Sequence, residues 1–279
     1  QTGVCYHRML EKQRDTALSQ VESDGTSVEA IPTFSDNYIW LLRGEETICA
    51  VVDPGEAGPV FRKLEDDGLE LAYILLTHHH YDHIGGAAAL LEAFPDAVAF
   101  APADPRIDFE TTPVGDGGTA SLARMALQFE VIEVPAHTRS HIAFHGHGML
   151  FCGDTLFSVG CGKLFEGTPA QMQDSLDKLA ALPGDTRVYC GHEYTESNCR
   201  FALNVEPNNE ALVAKSKRVQ ELRKSGRITL PGTLEEELAV NPFMRTREES
   251  VVSAARKREP AATPGAEVLG VIRAWKDAF

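Results

Sequence analysis

One short segment constrains this chain more than any other: Thr77-His78-His79-His80-Tyr81-Asp82-His83, directly behind the apolar run Leu71 to Leu76. So many ring nitrogens beside a carboxylate are built to hold metal. If Ala72-Tyr73-Ile74-Leu75-Leu76 is a buried strand, the histidines sit on the loop at its C-terminal end, where a rigid sheet aims them into a cleft. Imidazole and carboxylate together suit zinc, iron or manganese rather than calcium. A solvated histidine run would not interleave Asp82. Nor would it lead into Gly85-Gly86 and the apolar Ala87-Ala88-Ala89-Leu90-Leu91, which reads as a turn opening a helix. His79 alternates with His78 and His80, so in an extended loop it points away from their side.

One loop cannot close two coordination spheres, so the reading requires ligands at the ends of other strands. Val131-Ile132-Glu133-Val134-Pro135 delivers His137, Met149-Leu150-Phe151-Cys152 delivers Asp154 after Gly153, and Arg187-Val188-Tyr189-Cys190 delivers His192 after Gly191. Glycine or proline flanks each candidate and lets the backbone turn sharply. Thr77, Thr138 and Thr155 neighbour these positions and either hydrogen-bond the ligands or cap ordinary turns.

The pattern His78-x-His80-x-Asp82-His83, followed by His137, Asp154 and His192, resembles the metallo-β-lactamase superfamily. Further stretches are similar to glyoxalase II, the hydroxyacylglutathione hydrolases: Phe34-Ser35-Asp36-Asn37-Tyr38-Ile39-Trp40, Gly153-Asp154-Thr155-Leu156-Phe157, Gly160-Cys161-Gly162-Lys163, Cys190-Gly191-His192-Glu193-Tyr194-Thr195 and Asn241-Pro242-Phe243-Met244-Arg245. The resemblance runs from about Val28 to the C-terminus. It implies an α+β four-layer αββα sandwich with a C-terminal helical domain. It also implies two divalent ions, with zinc expected and iron or manganese as alternatives. His78, His80 and His137 would hold one, Asp82, His83 and His192 the other, and Asp154 would bridge them. This division suits the chemistry, since a carboxylate has two oxygens to share and a neutral imidazole offers one nitrogen.

Recognition of a tripeptide with two carboxylates needs a local basic cluster, because the net charge of −15 repels such an anion at long range. The resemblance assigns glutathione contacts to Lys163, Arg273 and Lys276. Val268, Ile272 and Trp275 have helical apolar spacing, and Arg273 and Lys276 flank that face. Tyr194 either contacts the peptide or packs at the domain junction. Arg245 and Asn241 are expected to hold the helical domain together. Three residues depart from the family pattern. Phe165 stands where a tyrosine is common, removing a hydroxyl worth on the order of 1 kcal/mol to glutathione binding. Ser140 replaces a glycine in His137-Thr138-Arg139-Ser140-His141 and would strain the loop if that position takes a positive φ, while Arg139 adds charge at the mouth. Ala136 also stands where glycine is frequent, and is expected to be harmless.

Residues 1–27 mix charges without an apolar core, which excludes a secretory signal, and the acids argue against a mitochondrial transit peptide. A poorly ordered tail is expected there, or a gene-start artefact with Met9 as an alternative start. From Val28 short strands alternate with helical stretches, an α/β pattern, up to a catalytic domain end near 193. Residues 194–279 carry charged, helix-favouring sequence and form the helical substrate-binding domain. No apolar stretch reaches membrane-spanning length. The six cysteines form no C-x-x-C pair and are expected to be reduced thiols in the cytoplasm. The expected partner is a small-molecule glutathione thioester, with no nucleic acid or membrane, and the chain is expected to be a monomer.

The reaction implied is hydrolysis of S-D-lactoylglutathione to D-lactate and glutathione, which would detoxify methylglyoxal. A metal-bridging hydroxide attacks the thioester carbonyl, the cations stabilise the oxyanion, and Asp82 and Asp154 serve catalysis as ligands, Asp82 also orienting the hydroxide. A thiolate with parent pKa near 8.5 leaves without a dedicated acid. A mononuclear-iron persulfide dioxygenase or another hydrolase of this fold, such as a β-lactamase or lactonase, is the alternative. The retained Asp82, His83 and His192 disfavour the former, and the basic helical segment disfavours the latter.

Overall fold

The structure is a computed structural model that describes residues 20–21, 26–44 and 47–279. Of the tail expected over 1–27, residues 1–19 and 22–25 lie outside that description. Gln20–Val21 (β1) pairs antiparallel with Ser27–Thr33 (β2).

These two strands open a seven-stranded sheet completed by Asn37–Arg43 (β3), Ile48–Val52 (β4), Glu70–Leu75 (β5), Val98–Ala101 (β6) and Thr112–Pro113 (β7), paired in sequence order. Asn37–Arg43 is buried on both faces, as its unbroken apolar run requires of an internal strand. One face packs against helices Ala57–Asp67 (α1) and Ala87–Ala93 (α3), where Val60 and Leu64, four apart, meet Ile39, Leu41, Val51 and Ile74. The short helix between them, Tyr81–Ile84 (α2), carries Asp82 and His83.

The opposite face meets a second sheet of Thr119–Leu122 (β8), Leu127–Glu133 (β9), Ile142–Gly146 (β10) and Met149–Gly153 (β11), with Arg187–Cys190 (β14) and Gly232–Thr233 (β15) beyond a hairpin of Leu156–Phe157 (β12) and Gly160–Cys161 (β13). The order is β15-β14-β11-β10-β9-β8. Leu127, Phe129 and Val131 alternate inward from exposed Gln128 and Glu130, the period-two signature of a strand with one buried face. Between the sheets Trp40, Phe151 and Tyr189 interlock, with centroids 5.0 Å apart in both the Trp40–Tyr189 and Phe151–Tyr189 pairs. Helix Pro169–Ala180 (α4), opened by a Thr168–Gln171 capping box, adds Met172, Leu176 and Leu179 to this core. The result is a four-layer αββα sandwich.

Beyond β14 the chain is helical apart from β15: Thr195–Val205 (α5), Glu210–Lys224 (α6), Leu234–Val240 (α7), Glu249–Arg256 (α8) and Ala266–Asp277 (α9). Fully buried Glu237 fastens this region to the hairpin. It accepts from Ser158 Oγ at 2.9 Å, Val159 N at 2.7 Å and Lys215 Nζ at 2.8 Å. Asn241 donates to Phe157 O and Gly160 O, and Arg245 pairs with Glu206 at 2.9 Å, both consistent with the holding roles expected of them.

Candidate metal centre

The C-terminal ends of β5, β11 and β14 and the loop after β9 open into one cavity of about 480 Å³. His78 Nε2 and His137 Nε2 each lie 3.1 Å from His80 Nδ1. Beside them Asp82, His83 and His192 form a second group whose ligand atoms converge. Asp154 faces both, with Oδ2 3.4 Å from His137 Nε2 and 3.3 Å from His192 Nε2, and Oδ1 3.4 Å from His83 Nε2. Glycines permit this crowding. A Cβ on Gly191 would stand 2.6 Å from the His83 ring and 2.8 Å from Asp154 Oδ1, and Gly153 turns with φ +47 against Thr77 and His141. His79 turns away from the others as expected, with Nδ1 3.6 Å from Asp104.

Hydrogen bonds on the far side of each ring identify its bare nitrogen. His83 Nδ1 meets Asp53 Oδ2 at 2.9 Å, His192 Nδ1 meets Asp36 Oδ1 at 2.8 Å, and His137 Nδ1 meets the Lys163 carbonyl at 3.0 Å. All three partners are acceptors, so Nδ1 carries a proton and Nε2 is the nitrogen turned to the centre. In the second group the Nε2 atoms face carboxylate oxygens, contacts that need either a proton or a cation between them. His83 Nε2 and Asp154 Oδ1 are buried without any hydrogen-bond partner. Cations between these atoms would satisfy every one of them, so the donor set fits a dinuclear metal site.

The electrostatics differ between the groups. Burial, with the neighbouring histidines, holds His78 well below the ordinary histidine value and His80 down at about 4. These rings are neutral, as metal ligands must be. In the other group burial opposes protonation, yet Asp154 and Asp82 push His192 up to about 10, and Asp154 and Asp53 raise His83. Burial likewise disfavours ionised Asp154, but His83 and His192 hold its carboxyl well below the usual range. That half of the centre demands positive charge. The other supplies uncharged donors.

The second wall is basic. Lys163, Arg273 and Lys276 line the same cavity as His80, Asp82 and His192. Arg273 is buried, donating from Nη1 to Cys161 O at 2.8 Å and from Nη2 to Asp277 Oδ1 at 3.0 Å, and its Nε is unpartnered. Lys276 donates to Asn198 Oδ1; burial, with Arg273 nearby, lowers it to about 8. Tyr194 lies flat on His192, centroids 4.7 Å apart, and edge-on to Phe157. Phe165 is 63% exposed and meets the His80 and His137 rings edge-on at 5.7 and 5.2 Å.

Several expectations change in detail. The strain forecast for Ser140 falls on Ala136 instead. Ala136 has φ +146, whereas Ser140 is not among the positive-φ residues and donates to Asp104. The reason is close packing: a Cβ on Gly167 would be 2.4 Å from Ala136 Cα, so the loop threads past Gly167 in a conformation alanine adopts at a cost of about 1–3 kcal/mol. Thr77 does bond a candidate ligand, His78 Nδ1 at 3.0 Å, while donating to Asp53 Oδ2. Thr155 bonds His141, and the Thr138 hydroxyl has no hydrogen-bond partner.

Sequence reasoning missed Asp53, Asp36, Asn37 and His141. Asp53 converges with His78 and His83, but its oxygens already accept from Thr77 and His83. His141 stacks on His78 at 4.5 Å and accepts from the Asp154 amide. The turn Asp53-Pro54-Gly55 was a visible signal, because an acid closing a buried strand needs a partner.

Residues 32–192 match the metallo-beta-lactamase superfamily, and residues 193–279 match the hydroxyacylglutathione hydrolase C-terminus. Among solved structures, the fold is similar to ETHE1 from Myxococcus xanthus (TM-score 0.60, 22% identity, 90% of this chain and 98% of that one). It is also similar to the BLEG-1 B3 metallo-beta-lactamase (TM-score 0.58, 21% identity, 78% and 99%). Hydroxyacylglutathione hydrolases from Aeromonas salmonicida (strain A449) and Cupriavidus taiwanensis are 51% identical over 255 residues and 52% over 263. These alignments cover 91% of this chain and 99% of the relative, and 90% and 98%, respectively. Within the metallo-β-lactamase superfamily, the chain belongs to the hydroxyacylglutathione hydrolase family.

Proposed function

We propose that this chain hydrolyses S-D-lactoylglutathione to D-lactate and glutathione. The observation that carries the reading is that one cavity joins the His/Asp centre to a wall bearing Lys163, Arg273 and Lys276. His78, His80 and His137 would hold one divalent ion and Asp82, His83 and His192 a second, with Asp154 available to either, zinc being the expected metal. When bound, such a pair supplies Lewis acidity and lowers the pKa of water. The chain's own residues do the rest. Lys163, Arg273 and Lys276 bind the peptide carboxylates, and Tyr194 and Phe165 flank the thioester from opposite sides of the centre. Asp82 accepts a hydrogen bond from the attacking water and fixes its direction, while Asn37 Nδ2, 3.0 Å from Asp82 Oδ2, holds the carboxylate still. Water adds to the carbonyl carbon and its protons pass to solvent, the C–S bond breaks to leave the carboxylate, and the thiolate departs without needing a protein acid.

The proposed division of labour is a catalytic domain over 28–193 and a helical substrate-binding domain over 194–279. Among the described residues no helix is long and apolar enough to cross a membrane. Five buried free thiols among the described residues favour a reducing compartment such as the cytoplasm. The test is the decay of S-D-lactoylglutathione at its thioester absorbance, with metal counted on the same sample. Turnover with about two ions per chain is expected; a metal-loaded protein that leaves this thioester intact would overturn the reading.

A further inference from the structure

The two candidate ligand groups are braced differently, and the difference lies in the turn between β2 and β3. Asp36 and Asn37 are consecutive there and both face the same group, Asp36 through His192 and Asn37 through Asp82, with Asn37 Nδ2 also 3.4 Å from His192 Nε2. Asp36 Oδ1 accepts a hydrogen bond from His192 Nδ1–H at 2.8 Å, and Ser35 Oγ donates to Asp36 Oδ2 at 3.0 Å. Asn37 donates from Nδ2 to Asp82 Oδ2 at 3.0 Å and approaches the Asp82 carbonyl at 3.4 Å. The turn itself is locked to the β14 end: Glu193 N donates to Asp36 O at 2.8 Å, Tyr38 N donates to Gly191 O at 2.9 Å, and Asn37 and His192 form a β-bridge.

Among the described residues, no hydrogen bond runs from this turn to His78, His80 or His137. Those rings are held from elsewhere, His78 by Thr77 Oγ1 and His137 by the Lys163 carbonyl. Asp53 braces both groups, His83 directly and His78 through Thr77, so its loss would disturb both. Among the candidate ligands, the side chains of Asp36 and Asn37 bond only members of the second group.

We infer that Asp36 and Asn37 are positioning residues for one ion alone, the one assigned to Asp82, His83 and His192. The inference rests on the two-ion reading above. A carboxylate behind an imidazole fixes its tautomer and raises its basicity, and losing such a partner typically weakens metal binding about 10–100-fold. Asn37 acts on Asp82 differently. By holding Oδ2 it limits how the carboxylate rotates toward the cation.

The test strips zinc-loaded protein with graded chelator and counts ions per chain for wild type, Asp36→Ala, Asp36→Asn and Asn37→Ala, with melting temperature recorded on each apoprotein. Asp36 is partly exposed, so its replacements leave the core intact. The expected result is two-step loss in wild type. In Asp36→Ala the first step moves to roughly 10–100-fold lower chelator while the second stays in place. Asp36→Asn, which keeps an acceptor oxygen, should fall between, and Asn37→Ala should shift the same step. Unchanged steps in Asp36→Ala, or equal shifts of both with a lowered melting temperature, would overturn the inference. Wild type holding fewer than two ions would overturn the two-ion reading itself, which keeps the two failures apart.

Discussion

On one side of the cavity His78, Asp154 and His192 leave or follow the ends of β5, β11 and β14, strands whose inner residues are almost wholly buried. On the other, Arg273 and Lys276 leave the last helix, α9, and Lys163 leaves a loop. The strand ends can place lone pairs about 3 Å apart because two packed sheets fix their backbones. The helix must place charges with long, flexible side chains, and it does so by tethering them: Arg273 to Cys161 and Asp277, Lys276 to Asn198. On the proposed reading, rigid backbone suits the group that would meet a cation within tenths of an ångström, and tethered side chains suffice for a peptide carboxylate. The comparison implies that damage to the first side strikes kcat and damage to the second strikes KM.

The largest effect expected is at the atom shared by both ligand groups. Asp154→Ala should lower kcat on the order of 10³-fold or more and reduce bound metal, with the far-ultraviolet circular dichroism unchanged. A loss of less than tenfold would mean that the chemistry lies elsewhere in the cavity. Lys276→Met should act on the other side, raising KM about 10–100-fold as a charge-assisted hydrogen bond worth roughly 1.5–3 kcal/mol is lost, with kcat within a few-fold of wild type. Steady-state kinetics at neutral pH separates the two; a kcat collapse in Lys276→Met would erase the distinction.

The same lysine sharpens the comparison through pH. Burial and Arg273 lower the Lys276 pKa to about 8, so it is charged below that pH and loses its proton as pH rises through it. Its attraction for a carboxylate is therefore present at pH 7 and lost near pH 9. Wild-type kcat/KM, which reports the free enzyme, should decline several-fold across that interval relative to Lys276→Met, and the two curves should converge. Parallel curves would show that Lys276 carries no titrating charge toward substrate.

The convergence of His78, His80, Asp82 and His83 was legible in the sequence because its signal is chemical and local: Thr77 to His83 needs no knowledge of tertiary structure to be read as a candidate ligand loop. The strands were legible too, since Ile48–Val52 and Arg187–Cys190 are short apolar runs bounded by turn residues. What escaped was whatever depends on contact between distant segments. Asp36 reaches His192 across 156 positions and Asn37 reaches Asp82 across 45, and neither pairing leaves a spacing to read. Backbone strain was misassigned for a similar reason. Ser140 and Ala136 both replace expected glycines, but only Ala136, packed against Gly167, takes a positive φ.

The smallest effect concerns Phe165, which belongs to neither side cleanly. Its ring touches His80 and His137 edge-on, yet it is largely exposed to the cavity mouth, where Glu166 beside it is tied to Arg106 and to the Arg139 amide. Phe165→Tyr would add a hydroxyl without changing the ring, so the contacts with the histidines persist while a donor becomes available to the peptide. One neutral hydrogen bond contributes on the order of 1 kcal/mol, so KM for S-D-lactoylglutathione should fall about five-fold with kcat unchanged. Calorimetric titration with glutathione should tighten by the same factor. If instead kcat moves and KM does not, Phe165 acts through His80 and His137, and the boundary between the metal side and the binding side runs through this ring rather than beside it.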